Sequence, residues 1–423
     1  DLAGKIYWDN RQLLLRDFHC KSGMTSATIE GHVTRSGLRT PAQFKVELQN
    51  IPLNKDVRDR LKPNLQKTYD TLRPTGHADV SVTLKYDEDG TWKRENLVLT
   101  SRDISINHVR FPMRITNLAG TIRQRGADMD IQFQGRAGRS PIHVRGVVIG
   151  GGPEAEATFD IRTQQLPINE EFWAACPENV RTNLRPLNLT GNIDAVLRLH
   201  RPAGPAQVYH PDLIARVKDA TIEYRAFPYR LEQFEGTITY SGDTRAWKFR
   251  DLKAQHNTTR VTAAGSLSKR SDGLQVLRLA IDTLDARCDD SLRRALPDNL
   301  KDLWAQLSPS GKLSASINLA WIPGQPPLIS LPSVKLTEGK LLLKAFPLPL
   351  DHVSARLSYT DGRVDIREFS ARHDQTVIQG KGFSQFEKDG SWRIRLQELT
   401  ADDLVSDRSL RRALPESLHA VVE

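Results

Sequence analysis

The chain repeats itself with a period of about 117 residues, and this repetition constrains the fold more than any other feature. The same seven letters, SLRRALP, occur at 291–297 and at 409–415. Prolines in equivalent positions lie 114, 120 and 118 residues apart, at Pro63, Pro177, Pro297 and Pro415. Phe-Pro pairs recur after 116 and 119 residues, beginning at Phe111, Phe227 and Phe346. Independent anchors that agree on one period predict a fold built from one supersecondary unit used several times.

The repeat divides the 423 residues into three whole units and a partial one. A third anchor marks where each unit starts: Gly-x-Ile at Gly4, Gly120 and Gly236, and Ala-x-Leu at Ala355. We therefore expect repeat units at 1–119, 120–235, 236–354 and 355–423. The chain opens without a basic, apolar leader and stops inside a copy of the repeated helix. We interpret it as an internal fragment of a longer protein, with its targeting signals outside the fragment.

Most of each unit alternates between apolar and polar residues, which is typical of a strand with one apolar face. The pattern is clearest at 78–86 and at 313–321. Asp-Gly pairs separate the alternating runs, and they favour tight hairpins because both residues tolerate positive φ. They are Asp89-Gly90, Asp272-Gly273, Asp361-Gly362 and Asp389-Gly390. Consecutive hairpins predict an antiparallel sheet, with about four strands, one helical segment and about three further strands in each unit.

The helical segment has a different spacing, with leucines from Leu292 to Leu307 at helical intervals. Pro297 lies inside it and would break the ladder of backbone hydrogen bonds. The sequence therefore predicts two short helices, with the proline at the start of the second. The pairs Asp289-Asp290 and Asp402-Asp403 precede copies of this segment, so we interpret them as helix caps and not as catalytic carboxylates. Gly76, Gly191 and Gly311 follow the helices and open a strand.

The apolar strand faces need a cover, and one helical segment of roughly 19 residues per unit is too short to supply it. Two sheets could pack face to face, the sheet could close on itself, or it could curl into a groove that bound lipid covers. We predict a mainly β fold, an elongated, curled antiparallel sheet with an apolar groove. Alternation assigns to the groove lining Val80, Val82, Leu84, Ile131, Phe133, Ile193, Ala195, Leu197, Ile222, Tyr224, Ile238, Val261, Leu313, Ala315, Ile317, Leu319, Leu341, Leu343, Ile394 and Leu396.

Residue patterns that carry chemistry are missing from the sequence. It has no Gly-x-x-x-x-Gly-Lys loop, His-Glu-x-x-His pair or Gly-x-Ser-x-Gly elbow. We therefore predict no enzyme activity, catalytic residue, metal site or cofactor. The glycines at 146 and 150–152 are interpreted as a hairpin turn, His256 and His373 as lone turn residues, and Arg293-Arg294 and Arg411-Arg412 as a solvated helix face. Three cysteines are too few for a disulfide framework, and a net charge of +9 without a nucleic-acid-binding motif does not predict nucleic-acid binding.

The sequence resembles the AsmA/TamB superfamily, whose architecture is similar to that of bridge-like lipid-transfer proteins. The segments that carry the resemblance are 189–195, 219–228, Leu231, 234–238, 249–254 and 261–265. The resemblance implies a monomeric conduit for phospholipid acyl chains between the inner and outer membranes, with a role in outer-membrane biogenesis. It also implies a periplasmic or cell-envelope location in a diderm bacterium, membranes at both ends of the full-length protein, and an inner-membrane anchor.

A second hypothesis explains the same pattern without lipid. The units could be a tandem array of closed β-domains that act as an extracellular adhesion or scaffold module. In that case the apolar faces would be ordinary sandwich cores, and each unit would fold alone. The two hypotheses differ in whether the apolar faces are closed by protein.

Overall fold

A computed structural model describes residues 2–9, 11–35, 40–86, 90–152, 154–344, 346–386 and 392–414. The protein is mainly β, with 66% of residues in strands and 13% in helices. Twenty-two strands belong to one antiparallel sheet, which does not close on itself within the described ranges. The predicted fold class is therefore confirmed at the level of a long, open antiparallel sheet.

The strands are numbered in chain order. They are β1 (Leu2–Trp8), β2 (Gln12–Ser22), β3 (Thr25–Thr34), β4 (Ala42–Pro52), β5 (His77–Tyr86), β6 (Trp92–Asn107), β7 (Arg114–Arg125), β8 (Asp128–Ala137), β9 (Ser140–Ile149), β10 (Glu156–Pro167), β11 (Thr190–Arg201), β12 (His210–Tyr224), β13 (Phe227–Ser241), β14 (Ala246–His256), β15 (Thr259–Lys269), β16 (Gln275–Arg287), β17 (Ser310–Trp321), β18 (Leu328–Leu343), β19 (Phe346–Thr360), β20 (Arg363–His373), β21 (Thr376–Phe386) and β22 (Trp392–Asp402).

The helices are short and come mostly in pairs. They are α1 (Lys55–Arg60), α2 (Pro63–Leu72), α3 (Glu170–Ala175), α4 (Glu178–Leu184), α5 (Asp290–Ala295), α6 (Asp298–Leu307) and α7 (Arg408–Ala413), and a 3₁₀ turn covers Arg185–Leu187. As predicted, Pro297 separates two helices, α5 and α6. Pro415, the equivalent proline of the last copy, lies outside the described residues.

Each strand pairs antiparallel with the next one along the chain, from β1 to β11 and again from β14 to β22. The chain forms two compact parts. The first part contains Asp1–Asn183, Asn192–Ala215 and Ser241–Asp243, and the second contains Leu184–Gly191, Arg216–Tyr240 and Thr244–Glu423.

The number of strands after each helix pair differs from the prediction. Two strands follow α2, α4 and α6 where about three were expected. The reason is that the second strand is long: β6 and β18 each span 16 residues. Register shifts within β6 and β18 let the strand change direction without ending, as β-bulges do. The predicted repeat boundaries at 1–119, 120–235, 236–354 and 355–423 stay predictions.

An Asx side chain precedes the first helix of each group and caps it. The carboxylate of Asp289 accepts hydrogen bonds from the backbone N–H groups of Ser291 and Leu292 at 2.9 and 3.0 Å. Asn54, Asn169 and Asp407 cap their helices in the same way. The capping role predicted for Asp402-Asp403 was wrong, because Asp402 ends β22 and the chain continues to Asp407 before α7 begins.

Turns and glycines mostly lie where the pattern placed them. Asp361 and Gly362 join β19 to β20 with φ of 48° and 77°, the left-handed conformation of a tight hairpin. Gly150 and Gly152 lie between β9 and β10, as predicted for a hairpin turn, whereas Gly146 lies within β9. The predicted turn residues Asp89, Asp389 and Gly390 lie outside the described residues.

Two of the buried clusters form where a helix meets the sheet. In the second part, Leu410 and Ala413 of α7 pack with a cluster that includes Leu348, Val353 and Ala371. In the first part, Ala175 of α3 packs with a smaller cluster that includes Met113, Ala137 and Leu166. These clusters hold the helix-proximal ends of strands, because the short helices reach no further across the sheet.

Candidate functional site

The strand registers place the predicted lining residues of the first part on one face of the sheet. Val82 of β5 lies opposite Val46 of β4 and Leu97 of β6. Further pairings join that face through Leu99–Ile122, Ile122–Ile131, Phe133–Val144, Val144–Ile161 and Ile161–Leu197. Partners directly opposite each other in an antiparallel pair point to the same side. One apolar face therefore runs through Val80, Val82, Leu84, Ile131, Phe133, Ile193, Ala195 and Leu197.

The second part has an equivalent face. Ile317 of β17 lies opposite Ile281 of β16, and Leu313 lies opposite Leu336 of β18. The face continues through Leu336–Ala355, Leu341–Leu350, Leu343–Phe346, Ala355–Phe369, Phe369–Gly380 and Gly380–Leu399. It therefore includes Val261, Leu313, Ala315, Ile317, Leu319, Leu341, Leu343, Ile394 and Leu396.

Three predicted lining residues lie on β12 and β13. Gly236 of β13 lies against Leu252 of β14, which belongs to the apolar face. Ile238, two residues further along the strand, shares that face because side chains alternate. Ile222 is half-buried on β12 and Tyr224 is exposed at the end of that strand.

The apolar faces are neither closed nor fully open to solvent. Of the twenty predicted lining residues, Ala315 is buried, sixteen are half-buried, and Tyr224, Ile394 and Leu396 are exposed by 48%, 51% and 48%. The whole chain exposes 27335 Å². Two compact domains of half its mass would together expose about 20,000 Å². The chain therefore exposes more surface than two compact domains of the same total mass would.

The opposite face of the strands is polar, so the sheet is two-sided. Lys45 and Glu47 of β4 form an ion pair of 2.6 Å on that face, and Arg198 of β11 reaches Asp160 of β10 at 3.3 Å. Exposed pairs of this kind contribute little to stability. Their effect is to keep this side hydrated, which leaves the apolar side as the candidate binding surface.

Aromatic side chains line the strand ends that lie away from the helices, and sequence reasoning did not single them out. Trp92 at the start of β6 lies 5.1 Å from Tyr86 and 5.8 Å from Phe44, measured between ring centroids. In the second part, Tyr240 and Trp247 are 4.7 Å apart. Their positions in the sequence could have indicated this, because each of these aromatic residues is close to a turn between two alternating runs.

Two serine hydroxyl groups on the apolar face donate hydrogen bonds to backbone carbonyls. Ser101 Oγ of β6 donates to the Leu118 carbonyl at 2.6 Å, and Ser140 Oγ of β9 donates to the Gln165 carbonyl at 2.8 Å. A hydroxyl that already donates to the backbone presents less polarity to an apolar ligand. These serines therefore interrupt the apolar face less than their sequence positions suggest.

Of the two histidines that were predicted to be lone turn residues, His256 and His373, one has a side-chain partner. His256 Nδ1 lies 2.7 Å from the Arg230 carbonyl at the end of β14. His373 Nδ1 lies 2.9 Å from the Pro349 carbonyl, but its Nε2 also lies 3.2 Å from Asp407 Oδ2. The prediction that His373 is unpaired was therefore wrong. Asp407 lies 34 residues further along the chain, so sequence spacing gave no indication of the contact.

Metal-ligating side chains converge at one place in the part of the chain that the structure describes. The ligand atoms of His373, Asp374 and Asp407 lie within 4.8 Å of one another. The arginines of the repeated helix are surface groups: Arg293 pairs with Asp290 on the same helix at 3.1 Å, and both are exposed. The three cysteines are free.

Among the described residues, no helix has both the length and the apolar character needed to cross a bilayer. Comparison with protein-family models, curated proteins and solved structures finds no match to this chain.

Proposed function

We propose that this chain is a non-enzymatic lipid-transfer conduit, which carries phospholipid acyl chains along the apolar face of its sheet. The observation that supports this most is the half-buried state of the lining residues on strands that pair in register. An apolar surface of this extent on a soluble protein marks a binding site. Acyl chains are the ligands whose shape and chemistry fit a long, apolar and shallow surface.

The dimensions of the strands suit a fatty acyl chain. On β5 one face carries every second residue from Ala78 to Tyr86, a span of about 27 Å at roughly 3.4 Å per residue. One leaflet of a bilayer is about 15 Å of hydrocarbon. A single strand is therefore long enough to shield one acyl chain from water.

Transfer along such a surface needs no catalytic group. Burying an acyl chain contributes about 0.8 kcal/mol per CH₂, whichever strand it lies against. A lipid that moves from one strand to the next exchanges similar contacts, so the barrier between neighbouring positions is small. Residues that hold the head group in water and the tail on the sheet are sufficient.

The finer architecture and the cellular setting are part of the proposal. We propose that units of about 117 residues continue one curled groove, in keeping with the resemblance to AsmA/TamB proteins. In that setting the full-length protein is anchored in the inner membrane of a diderm bacterium and spans the periplasm. Its partners are phospholipids and the two membranes.

The second candidate function is a tandem β-domain module for adhesion or scaffolding. The buried cluster around Leu348, Leu350, Val353 and Ala371 favours it, since these residues are closed by protein alone. The half-buried lining of β5, β8 and β11 favours the conduit, because a closed domain would bury those residues fully.

Lipid extraction separates the two. The chain is expressed in a diderm bacterium, purified without detergent, and its organic extract is analysed by mass spectrometry. The conduit predicts co-purifying phospholipid in at least equimolar amount and transfer of a fluorescent phospholipid between vesicles. A folded protein that carries no lipid and transfers none contradicts the conduit and leaves the module as the better explanation.

A further inference from the structure

We propose that His373, Asp374 and Asp407 form a binding site for a divalent transition-metal ion, with Zn²⁺ as the best fit. The three side chains come from three places: the last residue of β20, the turn after it, and the residue that caps α7. Their ligand atoms lie within 4.8 Å of one another. The site lies at the α7 end of the sheet and is separate from the lipid proposal.

The hydrogen bond at Nδ1 determines what Nε2 can do. The Pro349 carbonyl lies 2.9 Å from His373 Nδ1 and can only accept, so Nδ1 carries the proton. In a neutral imidazole the other nitrogen, Nε2, then holds a lone pair. Nε2 faces Asp407 Oδ2 at 3.2 Å, and a carboxylate oxygen is also an electron-pair donor. Two electron-pair donors this close together repel each other unless a cation lies between them.

The surrounding contacts are those of a metal ligand set. Metal-binding histidines commonly donate their second N–H to a backbone carbonyl, which fixes the ring as Pro349 does here. Asp407 Oδ1 accepts from the Leu410 N–H at 2.6 Å, and this orients Oδ2 towards the ring. One imidazole nitrogen and two carboxylate oxygens suit Zn²⁺, with a water in the fourth position.

Access to the site is one-sided. The His373 side chain is only 11% exposed and that of Asp407 is 28% exposed, whereas Asp374 is an exposed residue. An ion can therefore enter beside Asp374 and be held by the two more buried ligands.

A proton is the competing occupant. Burial lowers the pKa of His373, but the Pro349 carbonyl and the Asp407 carboxylate together raise it above its ordinary value. An imidazolium would make the same 3.2 Å contact with Asp407. The test must therefore distinguish a metal ion from a proton.

His256 provides a control within the same chain. Its Nδ1 also contacts a backbone carbonyl, that of Arg230, at a distance of 2.7 Å. Asn257 follows it where Asp374 follows His373, and both have φ near 50°, at 53° and 51°. The His256 Nε2 is buried without a hydrogen-bond partner. This position has the same contact between Nδ1 and a backbone carbonyl, but asparagine replaces Asp374 and Nε2 has no carboxylate partner.

Occupation of the site would join the end of β20 to the start of α7. Leu410 and Ala413 of α7 are buried against the cluster around Val353 and Ala371. A metal ion bound only to the folded state would therefore stabilise this end of the second part.

The test uses the whole chain with a histidine-free affinity tag, stripped with chelator and titrated with Zn²⁺ at pH 7.5 by calorimetry, with native mass spectrometry for stoichiometry. We expect one equivalent of tightly bound Zn²⁺. His373→Ala and Asp407→Asn should each weaken binding at least tenfold, since even indirect supporting contacts cost 10- to 100-fold. Asparagine still caps a helix, so the second variant keeps α7. His256→Ala should bind Zn²⁺ as the parent does.

Two results would overturn the proposal. One is equal Zn²⁺ binding by the parent and by His373→Ala. The other is a proton-only site, in which the unfolding temperature depends on pH and on His373 but does not change with Zn²⁺ or chelator. Neither result bears on lipid binding, which is measured on the same samples by extraction.

Discussion

Ser140 Oγ, at the first position of β9, donates a 2.8 Å hydrogen bond to the backbone carbonyl of Gln165 on β10. Gln165 has φ of 51°, the left-handed conformation, and lies at a bulge in the pairing of β10 with β11. Its N–H donates to Asp194 Oδ1 on β11 at 2.9 Å. The irregular residue is therefore held from both neighbouring strands.

The same arrangement recurs along the chain. A hydroxyl at the start of a strand donates to a left-handed residue in the pairs Thr25–Asn50, Thr259–Asp285 and Thr376–Asp403, at 3.1, 3.4 and 3.0 Å. The left-handed residue also donates its N–H to the following strand, from Asn50 to Asp79 and from Asp285 to Ser314. Spacings close to 117 residues separate the copies, which supports the proposed repeat.

Removing this hydroxyl should destabilise the protein without changing its surface. Ser140 is 3% exposed but Gln165 is exposed, so Ser140→Ala removes a part-buried hydrogen bond to the Gln165 carbonyl. The net contribution of one such hydrogen bond is about 0.5–1.5 kcal/mol. We expect the free energy of unfolding in urea to fall by that amount. Ser333→Ala on β18, where the serine is exposed, should change it by less than about 0.5 kcal/mol; equal effects would show that the contact is not stabilising.

A glycine at the start of β17 has no room for a side chain. Gly311 has φ of 121°, and an added Cβ would lie 2.7 Å from the Thr337 carbonyl oxygen and 2.8 Å from Gly339 Cα. Gly311→Ala should therefore combine backbone strain with a clash against backbone, which has little freedom to move. We expect a loss of about 3 kcal/mol or more in the free energy of unfolding.

Gly273 separates those two causes. It has φ of 84° in an open turn, with nothing within 4 Å of an added Cβ. Gly273→Ala should cost only the strain of the left-handed backbone, about 1–2 kcal/mol. If both variants lose the same free energy in parallel thermal and urea unfolding, the crowding at Gly311 is not energetically important.

The sequence pattern predicted those parts of the fold that depend on interactions between residues close together in the chain. Alternation at 78–86 and 313–321 placed β5 and β17, and Pro297 divided α5 from α6, because side-chain period and the missing N–H of proline act over a few residues. The apolar face could be assigned for the same reason, since a strand has only two faces.

Contacts between distant residues could not be predicted in this way. The bulge at Gln165 carries no glycine, and its partner Ser140 lies 25 residues earlier, so neither residue is conspicuous in the sequence. His373 and Asp407 meet only because β20 to β22 return the chain to the same end of the sheet. Such pairs depend on strand lengths and bulge positions, which alternation fixes only approximately.

Cys288 should be a slow nucleophile in the folded protein. Burial, with the neighbouring Asp289 carboxylate, raises the pKa of its thiol from 9.0 to about 11. Only the thiolate reacts, so alkylation at pH 8 should be roughly a hundredfold slower than for an unshifted thiol. Mass spectrometry of the Cys288 peptide after timed iodoacetamide treatment measures this. The rate should rise steadily from pH 8 to pH 10 in native protein; equal rates in native and urea-unfolded samples would contradict the assignment.

A charge on the apolar face should stop lipid transfer while the fold remains. Ile317 of β17 is half-buried and lies opposite Ile281, whereas the next residue, Asn318, is exposed on the polar face. Ile317→Asp places a carboxylate where the proposed acyl chain lies, and an unpaired charge against hydrocarbon costs several kcal/mol. We expect vesicle-to-vesicle transfer of fluorescent phospholipid to fall at least tenfold, and co-purifying lipid to fall with it.

Asn318→Asp adds the same charge one residue away and should transfer lipid as the parent does. Circular dichroism and size-exclusion chromatography should show the same fold for all three proteins, because Ile317 has no complete protein cover to lose. A different result separates the two candidate functions: if Ile317→Asp unfolds the chain while Asn318→Asp does not, the face is a closed protein core. The conduit also fails if Ile317→Asp stays folded and transfers lipid at the parent's rate.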